Sequence, residues 1–481
     1  MELPKDLIDE LLEHLDHRDF FMLSATGATM HRLLADTPHW QWNSITTEMV
    51  CQSLFVNNEN VFLTGPAGTG KSYAINEIFN RAKSRSLPAT IVSTTAISAC
   101  NFDKATTLDS FFGITPDLDS VDKFNPKKIN YFARSRIWKT KLLLLDEVSM
   151  LSATKLELMD IIAKEVRRSK LPMGGMRIFV SGDFYQLPPI GDAALKKNKR
   201  LYAFHSLAWE ELKFRNYRLS VPMRHNGDLF YYNMLQRIRV GQITENDIKI
   251  LEARSSSRSD DEIDQPMKIY AVNEKANARN REMFDAVSGE ISSTSVAEDM
   301  ICEKHQHEDG KIEYLPTNES ITDAILNKVK NRLHKYPETL QFKVGAQYVI
   351  TKNISLKEGT VNGRSCIYRG MNHGVGVTLP DGRMAALEMT EIFLKLGDGK
   401  YFRRLQYPLK LGYASTIHSS QGMTLERADI DLAKCFEDHQ VYVALSRVKS
   451  LAGLYLTNFN VHQITVSNDV RQFYRSLEFV N

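Results

Sequence analysis

A chain of 481 residues is longer than one hydrophobic core ordinarily organises and predicts two to four domains. Its 43% hydrophobic and 25% charged residues are those of a globular protein that folds in water, and no apolar run approaches the ~20 residues needed to cross a bilayer. The net charge of +3 divides unevenly: residues 1–50 hold nine acidic and three basic side chains, leaving about +9 on the remainder, an excess that suits a polyanionic partner. Cys51, Cys100, Cys302, Cys366 and Cys435 are scattered, with no CxxC spacing, and so imply neither zinc nor disulfides. The first residues lack the basic-then-apolar order of a secretory signal, and an intracellular protein is expected.

Taken in chain order, residues 1–45 alternate apolar and charged positions at helical spacing, with Leu7, Leu11, Leu12 and Leu15 on one face, then Phe20, Phe21, Leu23, Leu33 and Leu34. Short helices are predicted. From 50 to 220, apolar runs at 60–64, 89–93, 141–145 and 177–181 are separated by helical stretches, the rhythm of a parallel α/β sheet. Residues 254–266, rich in Ser, Arg and Asp, read as a linker, and 288–320, polar and without a sustained period, as a boundary and exposed insertion. Strand-like runs at 346–350, 375–379 and 455–456, interrupted by glycine-rich turns, predict a small β-rich module set into a second α/β domain.

Within the first strand–helix pair lies GPAGTGKS: Gly65, Pro66, Ala67, Gly68, Thr69, Gly70, Lys71 and Ser72. After a strand and before a helix, this is a phosphate loop. Its glycines let backbone N–H groups face a triphosphate, Lys71 reaches the β/γ-phosphates, and the Ser72 hydroxyl can ligate Mg²⁺. The apolar strand of LLLLDEVSM ends in two carboxylates, at the edge of the sheet where ligands of open parallel sheets collect. There Asp146 can hold Mg²⁺ through water, and Glu147 can polarise the water that attacks the γ-phosphate. In GDFYQLPP, Gln186 can donate to the γ-phosphate, on a turn stiffened by prolines.

GPAGTGKS, DEVSM and GDFYQLPP at these spacings resemble the superfamily 1B DNA helicases of the Pif type. The resemblance extends over residues 50–460, through TLDSFFGI at 107–114, LSVPMRHNGDLFYYNMLQRIRVG at 219–241, FKVGAQYVITKN at 342–353, TVNG at 360–363, LGYASTIHSSQGMTL at 411–425 and VYVALSRVKSLAGLYL at 441–456. It implies two RecA-like parallel-sheet domains, 46–220 and 221–481, with a β-barrel-like insertion at about 342–410 in the second. It also implies an ATP-dependent, Mg²⁺-using, 5′–3′ DNA helicase, a monomeric motor acting on single-stranded DNA and tailed duplexes. Arg224 and Arg447 take the family's arginine positions, where a guanidinium delivered from a second domain stabilises charge on the transferring phosphoryl group. Catalysis would then rest on Lys71, Glu147, Gln186, Arg224 and Arg447. Ser93, Thr94, Thr416, His418 and Ser420 would grip DNA, and Phe111 and Phe112 would offer an aromatic face to bases, core packing being the equal alternative for at least one of them. Asp109 and His225 stand where the family usually has His and Gln. Neither Gln41 nor Gln52 has the family's spacing for an adenine-reading Gln, and 367–376 departs from the usual glycine-rich continuation.

Residues 3–23 resemble an F-box, the helical module that docks on the Skp adaptor of cullin ubiquitin ligases, so residues 1–45 are expected to bind such an adaptor. That pairing implies a nucleus or a viral replication site. Two further readings follow: an adaptor that uses a DNA-translocating ATPase to locate substrates for ubiquitination, and a phosphate-loop ATPase acting on protein or RNA.

Overall fold

The computed structural model describes residues 40–99, 102, 105–114, 121, 124–126, 129–189, 201–255, 266–306, 312–333, 336–352, 354–355, 358–360, 363–372, 374–397 and 400–480. The F-box-like stretch up to residue 39 and most of the 254–266 linker lie outside them. The chain divides into two compact units: Met1–Ser257 with Thr424–Arg427 and Cys435–Asn481, and Arg258–Met423 with Ala428–Lys434.

In the first unit α1 (Trp40–Gln52) precedes β1 (Val61–Thr64), α2 (Lys71–Ser84), β2 (Ala89–Ser93), β3 (Thr106–Thr107), α3 (Leu108–Phe112), α4 (Tyr131–Lys139), β4 (Leu142–Asp146), α5 (Ala153–Arg167), β5 (Arg177–Gly182), α6 (Leu207–Leu212), β6 (Arg215–Arg218), α7 (Leu229–Val240) and α8 (Glu245–Ala253). The strands form one parallel sheet in the order β3-β2-β4-β5-β1-β6. Parallel sheets bury both faces, which explains the unbroken leucines of β4. Leu143 and Leu145 join one core with Phe62, while Leu142 and Leu144 join the opposite core with Val61 and Leu63. Local chemistry sets the helix boundaries: Ser152 caps α5 by accepting from the Lys155 N–H, and Thr244 and Asp247 form a capping box on α8.

The second unit contains β7 (Met267–Tyr270), α9 (Asn273–Ala286), β8 (Ser293–Val296), β9 (Glu298–Gln306), β10 (Ile312–Pro316), α10 (Asp323–Leu333), β11 (Thr339–Phe342), β12 (Gln347–Ile350), β13 (Ser365–Asn372), β14 (Gly374–Thr378), β15 (Met384–Leu387), β16 (Thr390–Gly397), β17 (Lys400–Gln406), β18 (Leu409–Leu411), β19 (Ala414–Thr416) and β20 (Ala428–Asp431). Strands β19, β7 and β20 are parallel neighbours. The β-rich part comprises an antiparallel sheet in the order β15-β14-β13-β12-β18 and a second in the order β10-β9-β17-β16. The second sheet corrects the expectation for 288–320. That polar stretch supplies β8, β9 and β10: β9 pairs with β10 on one edge and β17 on the other, and buries the adjacent Ile301 and Cys302 amid charged residues that mask any apolar period. Ile301 and Phe402 are buried, and the buried Arg404 pairs with Asp299 at 2.5 Å.

Residues 435–481 belong to the first unit and carry α11 (Gln440–Leu445), β21 (Leu454–Thr457) and α12 (Asn468–Ser476). Helix α12 packs by aromatic stacking: Phe473 lies on Phe204 at 4.2 Å and Tyr474 on Tyr185 at 4.8 Å.

Candidate nucleotide site

The carboxyl ends of β1, β4 and β5 place three sets of groups on one edge of the first sheet. From β1 the chain turns through Gly65 to Gly70, with Gly68 (φ 78°) and Gly70 (φ 90°) in the left-handed region that glycine tolerates. Close approach is the second reason for glycine. A Cβ at Gly65 would stand 2.4 Å from the Leu219 carbonyl oxygen, and one at Gly68 would stand 2.5 Å from the Arg224 Cβ. Lys71 donates to the carbonyl oxygens of Gly65 and Pro66 at 2.6 and 2.9 Å. Burial lowers its pKa, opposed by Asp183, Glu147 and Asp146. The buried Thr69 hydroxyl donates to the Pro66 carbonyl at 2.9 Å, and Ser72 is exposed at the start of α2.

Strand β4 delivers Asp146, buried, its pKa pushed up to about 7 by burial first and by Glu147 second. Glu147 adopts a left-handed conformation (φ 58°), and its carbonyl accepts from Thr94 Oγ1 at 2.9 Å. A buried carboxylate held near neutrality suits a cation that would restore its charge, and with Ser72 beginning the helix after the loop the donor set fits Mg²⁺. From β5 comes Asp183, paired to Arg239 by two bonds of 2.7 and 2.9 Å. Burial opposes its charge, but Arg239 prevails and holds the carboxyl below its usual range. Arg239 also lies over the Tyr185 ring at 4.4 Å, and the Tyr474 hydroxyl bonds Thr64 Oγ1 at 2.7 Å and Asp183 at 3.3 Å. Gln186 is buried on the same turn, its N–H on the Asp183 carbonyl at 2.8 Å.

Two guanidiniums complete the arrangement. The N–H groups of Met223 and Arg224 donate to the Gly68 carbonyl at 2.8 and 3.0 Å, which seats Arg224 against the loop. Its guanidinium donates to Thr424 Oγ1 and to the Ser446 carbonyl, each at 2.9 Å. Arg447, fully buried, donates to the Val443 carbonyl at 2.9 Å and to Ser446 Oγ at 2.8 Å. Neither arginine pairs with a carboxylate among the described residues. Burial and then the nearby Arg447 destabilise the Arg224 cation. Two buried cations held together at the phosphate loop, with Glu147 as their nearby opposite charge and no described carboxylate hydrogen-bonded to either, suit a polyanion. His225 is neutral: burial, then Arg224, lowers its pKa to about 4, and its Nε2 bonds the Val448 carbonyl at 3.0 Å.

Residues 41–249 match the family model described as PIF1-like helicase. The chain is 31% identical over 431 residues to the ATP-dependent DNA helicase PIF1 of Danio rerio, covering 88% of this chain and 62% of that protein. It is 29% identical to the ATP-dependent DNA helicase Pif1 of Bdellovibrio bacteriovorus, covering 88% and 90%. A crystal structure of Pif1 helicase from Candida albicans aligns with a TM-score of 0.75 at 28% identity, over 90% of this chain and 99% of that one. Over most of its length the chain is similar to Pif1-like helicases. It spans between about half and two thirds of the length of the first curated relatives.

Several residues singled out through the Pif1-like motifs sit elsewhere than expected. Phe111 and Phe112 are fully buried in the first unit's core, edge to face at 5.0 Å, because α3 turns both rings under the sheet. Of the two readings, core packing holds for both, and the base-stacking face is corrected. Ser93 is buried and its hydroxyl bonds Ser98. In the second unit Thr416 Oγ1 donates to Ser419 Oγ at 3.0 Å and Ser420 Oγ to the Ile417 carbonyl at 2.8 Å. These hydroxyls shape their own turns and do not face outward as the expected DNA grip requires, while His418 is partly exposed. The sequence reading missed Asp183, Arg239, Tyr442 and Tyr474. For Asp183 a signal existed, since it ends an apolar strand as Asp146 does. Tyr474 lies 290 positions from Phe184, to which it is hydrogen-bonded through the Phe184 N–H at 3.1 Å, and nothing local marks it.

Proposed function

We propose that the chain is an ATP-dependent DNA helicase that moves 5′ to 3′ on single-stranded DNA and unwinds tailed duplexes in replication, repair or recombination. The observation that carries the ATPase part is the pair Arg224 and Arg447, unpaired with any described carboxylate beside the phosphate loop. In this reading Lys71 and the loop N–H groups bind the phosphates, and Ser72 and Asp146 hold Mg²⁺, which neutralises phosphate charge when bound. Glu147 accepts a proton from the attacking water, Gln186 orients it, and the two guanidiniums stabilise the charge that develops on the γ-phosphoryl oxygens. The DNA part is supported by the relatives, which are named as ATP-dependent DNA helicases, and by the basic excess beyond residue 50. Docking of a Skp-type adaptor on residues 1–45 is supported by the LPKDLIDELLEHL pattern.

The test is ATP turnover by the purified chain with single-stranded DNA, with RNA of the same length, and alone. Stimulation by DNA, abolished in Glu147→Gln, is expected. Stimulation by RNA in place of DNA would overturn the substrate assignment.

A further inference from the structure

The Tyr442 hydroxyl stands at the phosphate loop with half of its hydrogen-bonding capacity in use. The side chain is 2% exposed, and its oxygen accepts the Ala67 N–H at 3.0 Å. No acceptor for its own hydrogen is present among the described residues. Burial pushes its pKa up to about 12, so that hydrogen stays in place at neutral pH. A buried hydroxyl donor is ordinarily satisfied, and one that is not calls for a partner outside the chain.

Position indicates which partner. Tyr442 belongs to α11, and the turn that follows this helix carries Arg447, whose Nε donates to the Val443 carbonyl at 2.9 Å. The Ser446 carbonyl of that turn receives the Arg224 guanidinium. Ala67 lies in the first half of the loop, ahead of Gly70, where α2 begins. N–H groups at the start of α2 serve the inner phosphates, whereas Ala67 and Gly68 lie on the side of the two arginines.

We propose that Tyr442 is a substrate-contacting residue that donates its O–H to an oxygen of the terminal phosphate of a bound nucleoside triphosphate, while its oxygen holds the Ala67 N–H. The inference rests on the ATPase reading above. It makes the phosphate loop and the Arg447 turn respond to the γ-phosphate through one side chain. A diphosphate would leave that hydrogen without an acceptor.

The experiment measures binding without turnover: fluorescence anisotropy of the full chain with a fluorescent non-hydrolysable ATP analogue and with the matching ADP derivative, for wild type, Tyr442→Phe and Tyr231→Phe. Phenylalanine keeps the ring and its packing. Tyr231 serves as the reference because its buried hydroxyl donates to the Leu445 carbonyl of the same helix at 2.8 Å. Tyr442→Phe should weaken the triphosphate about tenfold, the usual worth of one hydrogen bond to a charged group, and the diphosphate by less than about twofold. Tyr231→Phe should not discriminate between the two. Equal weakening of both nucleotides by Tyr442→Phe would show a merely structural role and overturn the proposal, as would unchanged binding of both. Failure of the wild type to bind either nucleotide would instead overturn the ATPase reading on which the proposal stands.

Discussion

Asp146 and Asp183 end neighbouring strands of one sheet, yet their surroundings drive their ionisation in opposite directions. Asp183 has Arg239 within hydrogen-bonding distance on two oxygens, and its carboxyl is held below the ordinary range. The stability from that pair is present above the unfolded value of about 3.8 and is lost as pH falls through the lower folded value. Replacing Arg239 by Met would leave a buried carboxylate unpaired, and a loss of about 3–5 kcal/mol at pH 7 is expected from urea unfolding. Asp146 has no arginine partner among the described residues. Its folded pKa of about 7 exceeds the reference 3.8, so the native state retains a proton that the unfolded chain gives up, and stability falls as pH rises through that window. Asp146→Asn should therefore be more stable than wild type by an amount that grows from pH 4 to pH 7, to at most about 4 kcal/mol, and is level above. Thermal melts across that range check this; a constant difference would contradict it. Asp146 was legible because four leucines precede it. The partner of Asp183 was not, since Arg239 stands 56 positions away in a helix where a basic residue near the C-terminus needs no special explanation.

At the scale of elements, the phosphate loop is constrained by what packs against it as well as by its own dihedrals. Gly68→Ala would place a methyl group 2.5 Å from the Cβ of Arg224, at a φ of 78°, and a Cβ cannot swing aside as a side-chain terminus can. Nucleotide affinity by isothermal titration should fall at least about tenfold, since both the loop and Arg224 must move. Gly174→Ala is the contrasting case: its methyl group would meet the Ala163 carbonyl oxygen at 2.5 Å, away from the loop. That variant should lose about 1–3 kcal/mol of stability with nucleotide affinity unchanged. Elements buried on both faces, such as β4, could be read as apolar runs. The two-residue β3 and the edge strand β6, with the sequence Arg-Asn-Tyr-Arg, could not, and β9 reads as polar because its buried Ile301 and Cys302 stand side by side amid charged residues and set up no period.

At the scale of the molecule, a parallel α/β sheet carrying a nucleotide cradle and a second unit rich in antiparallel strands agree with the relatives over some nine tenths of the chain. The cradle's residues were legible because each lies in a short motif at a strand end. Its supports were not, because α11 and α12 join the first unit from the far end of the sequence. In the proposed function, ATP turnover at this cradle drives directional movement on DNA. The most direct test is unwinding of 5′-tailed against 3′-tailed duplexes with ATP and Mg²⁺, with Glu147→Gln as the inactive control. Release of the strand from the 5′-tailed substrate alone, lost in the variant, is the predicted result; ATP turnover with no release from either substrate would contradict it.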